Sequence, residues 1–276
     1  MFLKLSDKYD KAYQSHLVAF QQKFASTFPD PKKSHYTDFY PSIGVLAGNT
    51  VDLLVYGQAV GGWQKELDMM EQVPVRRVDA SRKFSNHHFE SDSPIDWVNA
   101  RWSPSELSKL KNKAQWKYYK QKDSTYWANP SFFWQVTYKF LEAHLKLEKD
   151  SWDWSKHLVW SNLYKIAPQT SNPTEADRIL QRPSSIALVR LELQELKPRL
   201  CIVLTNYSWW SHFHRGLPTT SVKHRAYPTV EAVERFEETT IIVVRRPRFG
   251  GAPQTIKDLL VLTKKLGLEP KRNPRA

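Results

Sequence analysis

The chain has 276 residues, of which 41 are Lys or Arg and 28 are Asp or Glu, so its formal net charge at pH 7 is +13. With 41% hydrophobic and 25% charged residues, the composition is that of a globular protein and excludes a disordered or fibrous chain. The single cysteine, Cys201, excludes an internal disulfide, a four-cysteine zinc site and a cysteine-ligated iron–sulfur cluster, and its apolar neighbours predict that it is buried.

Membrane and targeting signals are not evident in the sequence. The longest apolar runs, such as Ile241–Val244, fall far short of the ~20 residues that a membrane helix needs. The N-terminus becomes charged too early for a signal peptide. We therefore expect a cytoplasmic protein that does not associate with membranes, and we expect it to be a monomer.

The predicted elements alternate between helix and strand along most of the chain. A first helix is predicted within residues 1–30 and ends at Pro29 and Pro31. The later predictions, in chain order, are a buried strand at 50–57, a glycine-bearing loop at 57–62, a helix at Trp63–Glu71, a polar insertion at about 74–128 with some helix, a helix at Ser131–Leu147, a strand at His157–Leu163, a helix at about Ser184–Leu196, a strand at Leu200–Thr205, a short helix from Ser208, a strand at Thr239–Arg245 and a helix at Gln254–Leu266. This alternation predicts a single α/β domain over residues 1–276, a three-layer α/β/α sandwich around a mostly parallel four-stranded sheet.

The positive charge favours a polyanionic partner, because Lys and Arg that neutralise phosphates release counterions on binding. A solvated basic surface is the alternative. Between Lys109 and Lys122, lysines interleave with Trp116, Tyr118 and Tyr119, which suits a nucleic-acid strand whose bases stack on rings while its phosphates meet ammonium groups. An amphipathic helix with an aromatic core face has the same pattern, so both interpretations stay open.

Three segments follow predicted strands, and their loops are expected to converge at the carboxyl edge of the sheet, where ligands collect in α/β proteins. The first is GQAVGG at 57–62, whose glycines permit close backbone approach but which has neither the Walker nor the dinucleotide pattern. An ordinary turn is the alternative for this loop, and a site for a small phosphorylated ligand is another.

The second segment contains Asn162, at the end of the strand HLVWSNL. Its side chain offers an amide donor and a carbonyl acceptor, the pair needed to read the edge of a nucleobase. An asparagine that shapes the turn by bonding to the backbone is the alternative. The third segment is the run VRRPRFG at 244–250.

In order and spacing, these segments resemble the middle of uracil-DNA glycosylases of the bacterial iron–sulfur class. The run WSNLYKIAP…NP, the helix ending ELQELKPR and the strand LCIVLTN followed by Trp209 and Trp210 are similar to that family's TNxxKxxPPxxxxP loop, helix and Pxxivxlg strand. The loop at 57–62 falls where the superfamily has its water-positioning motif, Gly-Glu-Ala-Pro-Gly or Gly-Gln-Asp-Pro-Tyr. The run at 244–250 falls where the superfamily has a strand followed by a His-Pro loop. The resemblance covers about residues 50–71 and 155–266.

The resemblance implies a DNA-binding protein that hydrolyses the N-glycosidic bond of a uracil-containing or otherwise damaged base, which makes it a monofunctional DNA glycosylase that acts in DNA repair by base flipping. The chain departs from the family at Gln58 and Ala59, where many relatives have a catalytic acid. Arg246 stands at the place of a histidine that stabilises the departing base anion, and a guanidinium can also donate to that anion. The cluster-binding cysteines are absent, so the chain would be a cluster-free relative, with no metal and no organic cofactor expected.

The residues to which the resemblance gives roles are, for catalysis, Gln58, Ala59 and Arg246 and, for substrate binding, Gly57, Trp63, Asn162 and Pro247. Gln58 and the backbone of Ala59 would hold the water, Asn162 would read the base, and Arg246 would stabilise the anion. Trp63 lies about where family members stack an aromatic ring on the base, and a core tryptophan is the alternative. The rival function is a non-catalytic nucleic-acid-binding protein on the same fold.

Overall fold

The computed structural model describes residues 4–27, 35–44, 51–59, 63, 67, 75–86, 93–110, 117, 126–246 and 250–270. Helices in these ranges are α1 (Asp7–Thr27), α2 (Val75–Ser85), α3 (Trp97–Ala100), α4 (Pro104–Ser108), α5 (Phe132–Leu145), α6 (Glu175–Leu196), α7 (Tyr207–Gly216) and α8 (Ala252–Lys265), with a 3-10 helix at Trp152–His157. Strands are β1 (Tyr36–Asp38), β2 (Ser42–Ile43), β3 (Leu53–Gly57), β4 (Leu158–Asn162), β5 (Ile166–Pro168), β6 (Leu200–Val203), β7 (Thr220–Ser221), β8 (Val230–Phe236) and β9 (Thr239–Val244). Over these described ranges, no helix combines the length and the apolar character needed to cross a membrane.

The main sheet is mixed and has seven strands, in the order β2-β4-β3-β6-β9-β8-β7. The four strands that the sequence predicts are its central strands β4, β3, β6 and β9, and each pairs in parallel with the next. The outer strands β2, β8 and β7 are antiparallel to their neighbours. The predicted four-stranded sheet is therefore corrected to a mixed sheet of seven strands. A separate two-stranded antiparallel sheet joins β1 to β5.

The outer strands are not predicted because their sequences lack the periodic pattern of a strand. β2 has only two residues, which is too short for any periodic signal. β8 has the sequence VEAVERF, in which charged residues interrupt the apolar ones, and its pairing with β9 is irregular between Val230 and Ala232. A bulge of this kind breaks the two-residue alternation by which a half-buried strand is recognised.

The central strands are buried on both faces, because helices pack on each side. Along β3, Leu54 and Tyr56 belong to an apolar cluster shared with α1, α6 and α7. Leu53 and Val55 point the other way, into a cluster shared with α5 and α8. This alternation follows from the two-residue period of a strand. Cys201 of β6 is buried in the first cluster, as predicted.

Helix α6 begins earlier than the sequence predicts. The prediction starts at Ser184, since Pro183 is a helix breaker in most contexts. The observed helix begins at Glu175 with Pro183 inside it, because Thr174 and Asp177 form a capping box that starts the helix upstream. The amide of Asp177 donates to the Thr174 hydroxyl at 3.2 Å, and the Thr174 amide donates to the Asp177 carboxylate at 2.8 Å.

The predicted polar insertion at about 74–128 contributes to the core where it is described. It carries α2, α3 and α4. Val78 packs in the cluster that includes α1, while Ile95 and Val98 pack in the cluster that includes α5. Of the helix predicted at Trp63–Glu71, only Trp63 and Leu67 lie within the described residues. Leu67 forms an antiparallel bridge to Tyr36, so the structure corrects the helical prediction at Leu67.

Candidate functional site

A pocket of about 190 Å³ lies at the carboxyl ends of the central parallel strands. Gly57 and Asn162 are the last residues of β3 and β4 and are paired in register, and Arg246 follows β9. The described residues that line the pocket are Gly57, Gln58, Ala59, Tyr126, Ser131, Phe133, Trp134, Trp160, Asn162, Asn172, Leu204 and Arg246. The structure thus brings Gly57, Gln58, Ala59, Asn162 and Arg246 together around one cavity.

Asn162 lines this pocket and carries a buried donor that is unsatisfied among the described residues. Its side chain is only 1% exposed, and its amide nitrogen Nδ2 is buried without a hydrogen-bond partner among the described residues. A buried donor left unpaired costs about 1–3 kcal/mol, so such groups in folded proteins usually meet a ligand or a water. The Asn162 amide therefore keeps the capacity to donate to one further acceptor.

Gly57 provides the space that the Asn162 side chain occupies. A Cβ atom built on Gly57 would lie 2.5 Å from the Asn162 Oδ1 atom and 3.5 Å from the Phe133 ring. The first distance is too short for any side chain, so only glycine permits this close approach of backbone and amide. The sequence predicts that this glycine permits close approach of a ligand, and the group that the structure brings against it is the Asn162 side chain.

Gln58 is held as a hydrogen-bond acceptor by two neighbours. Its Oε1 atom accepts from Nδ2 of Asn172 at 3.1 Å and from Nη1 of Arg246 at 3.1 Å. A carbonyl oxygen has two lone pairs, so these contacts saturate it and leave the amide NH₂ as the part of Gln58 that a ligand can use. Ala59 lines the pocket with an apolar methyl group and contacts the core cluster that includes α1.

Arg246 is the only charged side chain among the described residues that line the pocket. Its backbone amide donates to Oδ1 of Asn206, which ties the segment after β9 to the residue that precedes α7. Its side chain is exposed, so the guanidinium lies at the mouth of the cavity, not in its interior. With the amides of Asn162 and Gln58, it makes the polar lining rich in donors.

Aromatic rings form the other wall of the pocket, and sequence analysis did not assign them to the site. Trp134 and Trp160 meet edge to face with ring centroids 4.9 Å apart, and Phe133 meets Trp134 edge to face at 4.8 Å. Phe133 and Trp134 lie in the first turn of α5, whose N-cap is Ser131. The signal in the sequence is the run SFFW at 131–134, which predicts only the start of a helix.

Trp63 is a core residue and does not line the pocket. Its indole packs against Phe39, Trp97 and Trp160 with ring centroids 5.4, 5.8 and 4.7 Å away, and its Nε1 donates to the Ser85 hydroxyl at 3.1 Å. The structure therefore agrees with the alternative stated for Trp63, a core tryptophan. Trp160, against which Trp63 packs, lines the cavity together with Trp134.

Two further predictions fall largely outside the described residues. Pro247 lies outside them. So does most of the basic and aromatic stretch between Lys109 and Lys122. Within that stretch, Lys109 pairs with Glu106 of α4 at 2.5 Å on the surface. That the stretch between Lys109 and Lys122 contacts nucleic acid stays a prediction.

Comparison with known proteins gives no functional assignment, so the functional argument rests on the geometry of the site. No protein-family model matches the chain, and no curated protein matches it significantly. Across the described residues, no group of three or more His, Cys, Asp or Glu side chains is arranged to hold a metal ion.

Proposed function

We propose that this protein binds DNA, takes an extruded base into the pocket and hydrolyses the base's N-glycosidic bond. The observation that carries the proposal is the buried, unpartnered amide of Asn162 at the end of a parallel strand. An enzyme that acts on a base must read it outside the stack, through hydrogen bonds to its edge and contacts with its faces. Asn162 supplies the first kind of contact, and the rings of Phe133, Trp134 and Trp160 supply the second.

The donors of the pocket favour a base that carries carbonyl oxygens. The amides of Asn162 and Gln58 and the Arg246 guanidinium all donate, and the carbonyl of Gln58 is already occupied. A deaminated base such as uracil or hypoxanthine offers a carbonyl where the parent base has an amino group. This fits the resemblance to uracil-DNA glycosylases. The three-layer α/β/α arrangement that the resemblance implies is supported by the helices that pack on both faces of the central parallel strands.

The chemical step needs a water, a cleaved bond and a stabilised leaving group. The water oxygen bonds to the sugar C1′ atom as the bond from C1′ to the base nitrogen breaks, and the bonding electron pair leaves with the base. The Arg246 guanidinium is placed to stabilise that anion, which takes up a proton when the water loses one. The NH₂ group of Gln58 can orient the water, but it cannot accept the water's proton.

A non-catalytic, base-binding protein is the second candidate. The observation that favours it is that the described pocket lining contains no carboxylate and no imidazole. Without such a group the water has no side-chain base, and general-base catalysis contributes typically 10²–10⁴-fold to a rate. Such a protein would keep Asn162 and the aromatic wall for recognition alone.

The test is an excision assay on single-stranded and duplex oligonucleotides that carry uracil, hypoxanthine or a mismatch, followed by alkali to cleave abasic sites. Excision by the parent protein supports the enzyme. Binding without excision supports the second candidate, and failure to bind any of the oligonucleotides at low salt contradicts both. The matched variant is Asn162→Asp, which keeps the size of the side chain and replaces its donor with an acceptor; excision that survives unchanged in this variant contradicts base reading by Asn162.

A further inference from the structure

A buried ion pair lies directly behind the pocket, in a place where sequence analysis gave no functional residue. The side chains of Lys165 and Glu192 are both fully buried, and the Lys165 ammonium lies 2.7 Å from Oε1 of Glu192. Lys165 follows β4 in the chain, and Glu192 belongs to α6. Desolvating two charges is costly, and apolar side chains of similar size often replace such a pair without loss of stability. The pair is therefore not explained by folding stability alone.

The cationic half of the pair holds the end of β4. The Lys165 ammonium donates to the backbone oxygen of Asn162 at 2.6 Å and to the hydroxyl of Ser161 at 2.6 Å. With the contact to Glu192, these bonds use all three protons of the ammonium group. The next amide, that of Leu163, donates to the Gly57 oxygen at 2.9 Å. The peptide group that follows Asn162 is thus fixed at both its oxygen and its nitrogen.

The anionic half of the pair holds the end of β3. Oε2 of Glu192 accepts from the Tyr56 hydroxyl at 2.8 Å, and Oε1 accepts from the Tyr9 hydroxyl of α1 at 2.6 Å. Tyr56 immediately precedes Gly57, the residue that makes room for the Asn162 side chain. One ion pair therefore connects the ends of the two strands from which the polar side of the pocket projects.

We propose that Lys165 and Glu192 are positioning residues that fix the place of the Asn162 side chain in the wall of the pocket. The role in base recognition rests on the proposed function, whereas the mechanical role is a property of the free protein. Neither residue lines the pocket, so they act through Asn162 and Gly57 without touching a ligand.

The test compares variants that separate positioning from stability. Lys165→Met alone leaves the Glu192 carboxylate buried and unpaired, which destabilises the fold. The double variant Lys165→Met/Glu192→Leu removes both charges and keeps apolar volume, so folding stability returns toward that of the parent. The matched control is Leu188→Ala, which removes core packing from α6 and leaves the ion pair in place.

The first measurement uses the free protein and needs no ligand. Hydrogen exchange of the Asn162 side-chain amide, identified by its loss in Asn162→Ala, is read by ¹⁵N NMR. We expect exchange at least about tenfold faster in the double variant, the size that follows from losing a hydrogen bond to a charged group, and parent-like exchange in Leu188→Ala. Tyr56→Phe deletes only one hydroxyl from the cluster and is expected to speed exchange by a few-fold, which keeps the proposal testable if the double variant does not fold.

The second measurement uses a single-stranded oligonucleotide with one central uracil and an otherwise identical oligonucleotide with a tetrahydrofuran abasic analogue. The ratio of the two affinities reports the contribution of the base. We expect this ratio to fall about tenfold in the double variant and to stay unchanged in Leu188→Ala. Parent-like exchange in the double variant or, if it does not fold, in Tyr56→Phe overturns the positioning role. If exchange changes as expected while the parent shows no preference for the base, the proposed function fails and the positioning role stands.

Discussion

The unpaired amide of Asn162 is the residue-scale feature on which recognition depends. We predict that Asn162→Ala weakens binding of a uracil-containing oligonucleotide by ~1–3 kcal/mol, or about 5–150-fold, because the base loses its buried donor. Binding of the abasic analogue should be unchanged, since phosphate contacts do not involve this side chain. Fluorescence anisotropy on both oligonucleotides measures the difference. An equal loss on both would assign Asn162 to structure and not to base reading.

Gly57 and Asn162 are predicted to be coupled. In Gly57→Ala the new methyl group would lie 2.5 Å from the Asn162 Oδ1 atom, so the amide must turn away from its present position. We expect Gly57→Ala to lower base affinity about as much as Asn162→Ala, and the double variant to be no worse than either, since removing the amide removes the clash. Additive losses in this double-mutant cycle would show that the two residues act independently.

Arg246 is predicted to act on turnover more than on binding. If the protein excises a base, Arg246→Ala should slow excision on the order of a hundredfold, because it removes the fixed positive charge from the place where the anion develops. Arg245→Ala is the matched control, since Arg245 is exposed, pairs with Glu231 at 3.4 Å and does not line the pocket. Single-turnover kinetics separate the two variants. Equal slowing in both variants would show that Arg246 contributes only through the overall positive charge of the protein and not through a specific contact with the base.

At the scale of elements, the contact between α1 and α6 contains a buried neutral histidine. His16 lies 2.7 Å through Nδ1 from the Ser184 hydroxyl, and its Nε2 is buried without a partner among the described residues. Burial, assisted by the charge of Lys165, lowers the pKa of His16 from 6.5 to about 3. In the unfolded chain His16 therefore binds a proton near pH 6.5, whereas in the native protein it stays neutral. The free energy of unfolding falls as the pH drops from about 6.5 toward 3.

The predicted size of this effect is ~2 kcal/mol between pH 7.5 and pH 5, from ~1.4 kcal/mol for each pH unit below the unfolded pKa. Urea unfolding of the parent and of His16→Gln at both pH values measures it. Relative to the parent, the variant should gain about this much on acidification, because glutamine does not titrate. The exposed His35→Gln serves as control. The same pH dependence in His16→Gln and parent would show that other groups cause the acid loss.

At the scale of the whole molecule, the net charge of +13 predicts salt-sensitive DNA binding. If about six Lys or Arg side chains contact phosphates, affinity should fall on the order of a thousandfold between 50 and 200 mM salt, as counterions are released on binding. A titration of duplex and single-stranded oligonucleotides across this range measures the slope. An uncharged methylphosphonate oligonucleotide is the control and should bind weakly at all salt concentrations. Affinity that does not depend on salt would contradict an electrostatic DNA interface.

The sequence by itself determined the four central strands, the burial of Cys201 and the loops that share one edge of the sheet. Strands buried on both faces read as continuous apolar runs whatever packs on them, so their prediction does not depend on the tertiary partners. Because neighbouring parallel strands end at the same edge, the positions of Gln58, Asn162 and Arg246 in the chain were enough to predict one cleft.

Only the tertiary structure decided what fills each face and which polar atoms are paired. Trp63 and Trp160 are equally apolar in the sequence, and it is packing from other elements that places Trp63 in the core and Trp160 in the pocket wall. The ionic contact between Lys165 and Glu192 joins residues that are far apart in the chain, so no local sequence pattern predicts it. The open donor of Asn162 is likewise a property of its surroundings, because a side chain is unsatisfied only relative to the atoms that the fold brings to it.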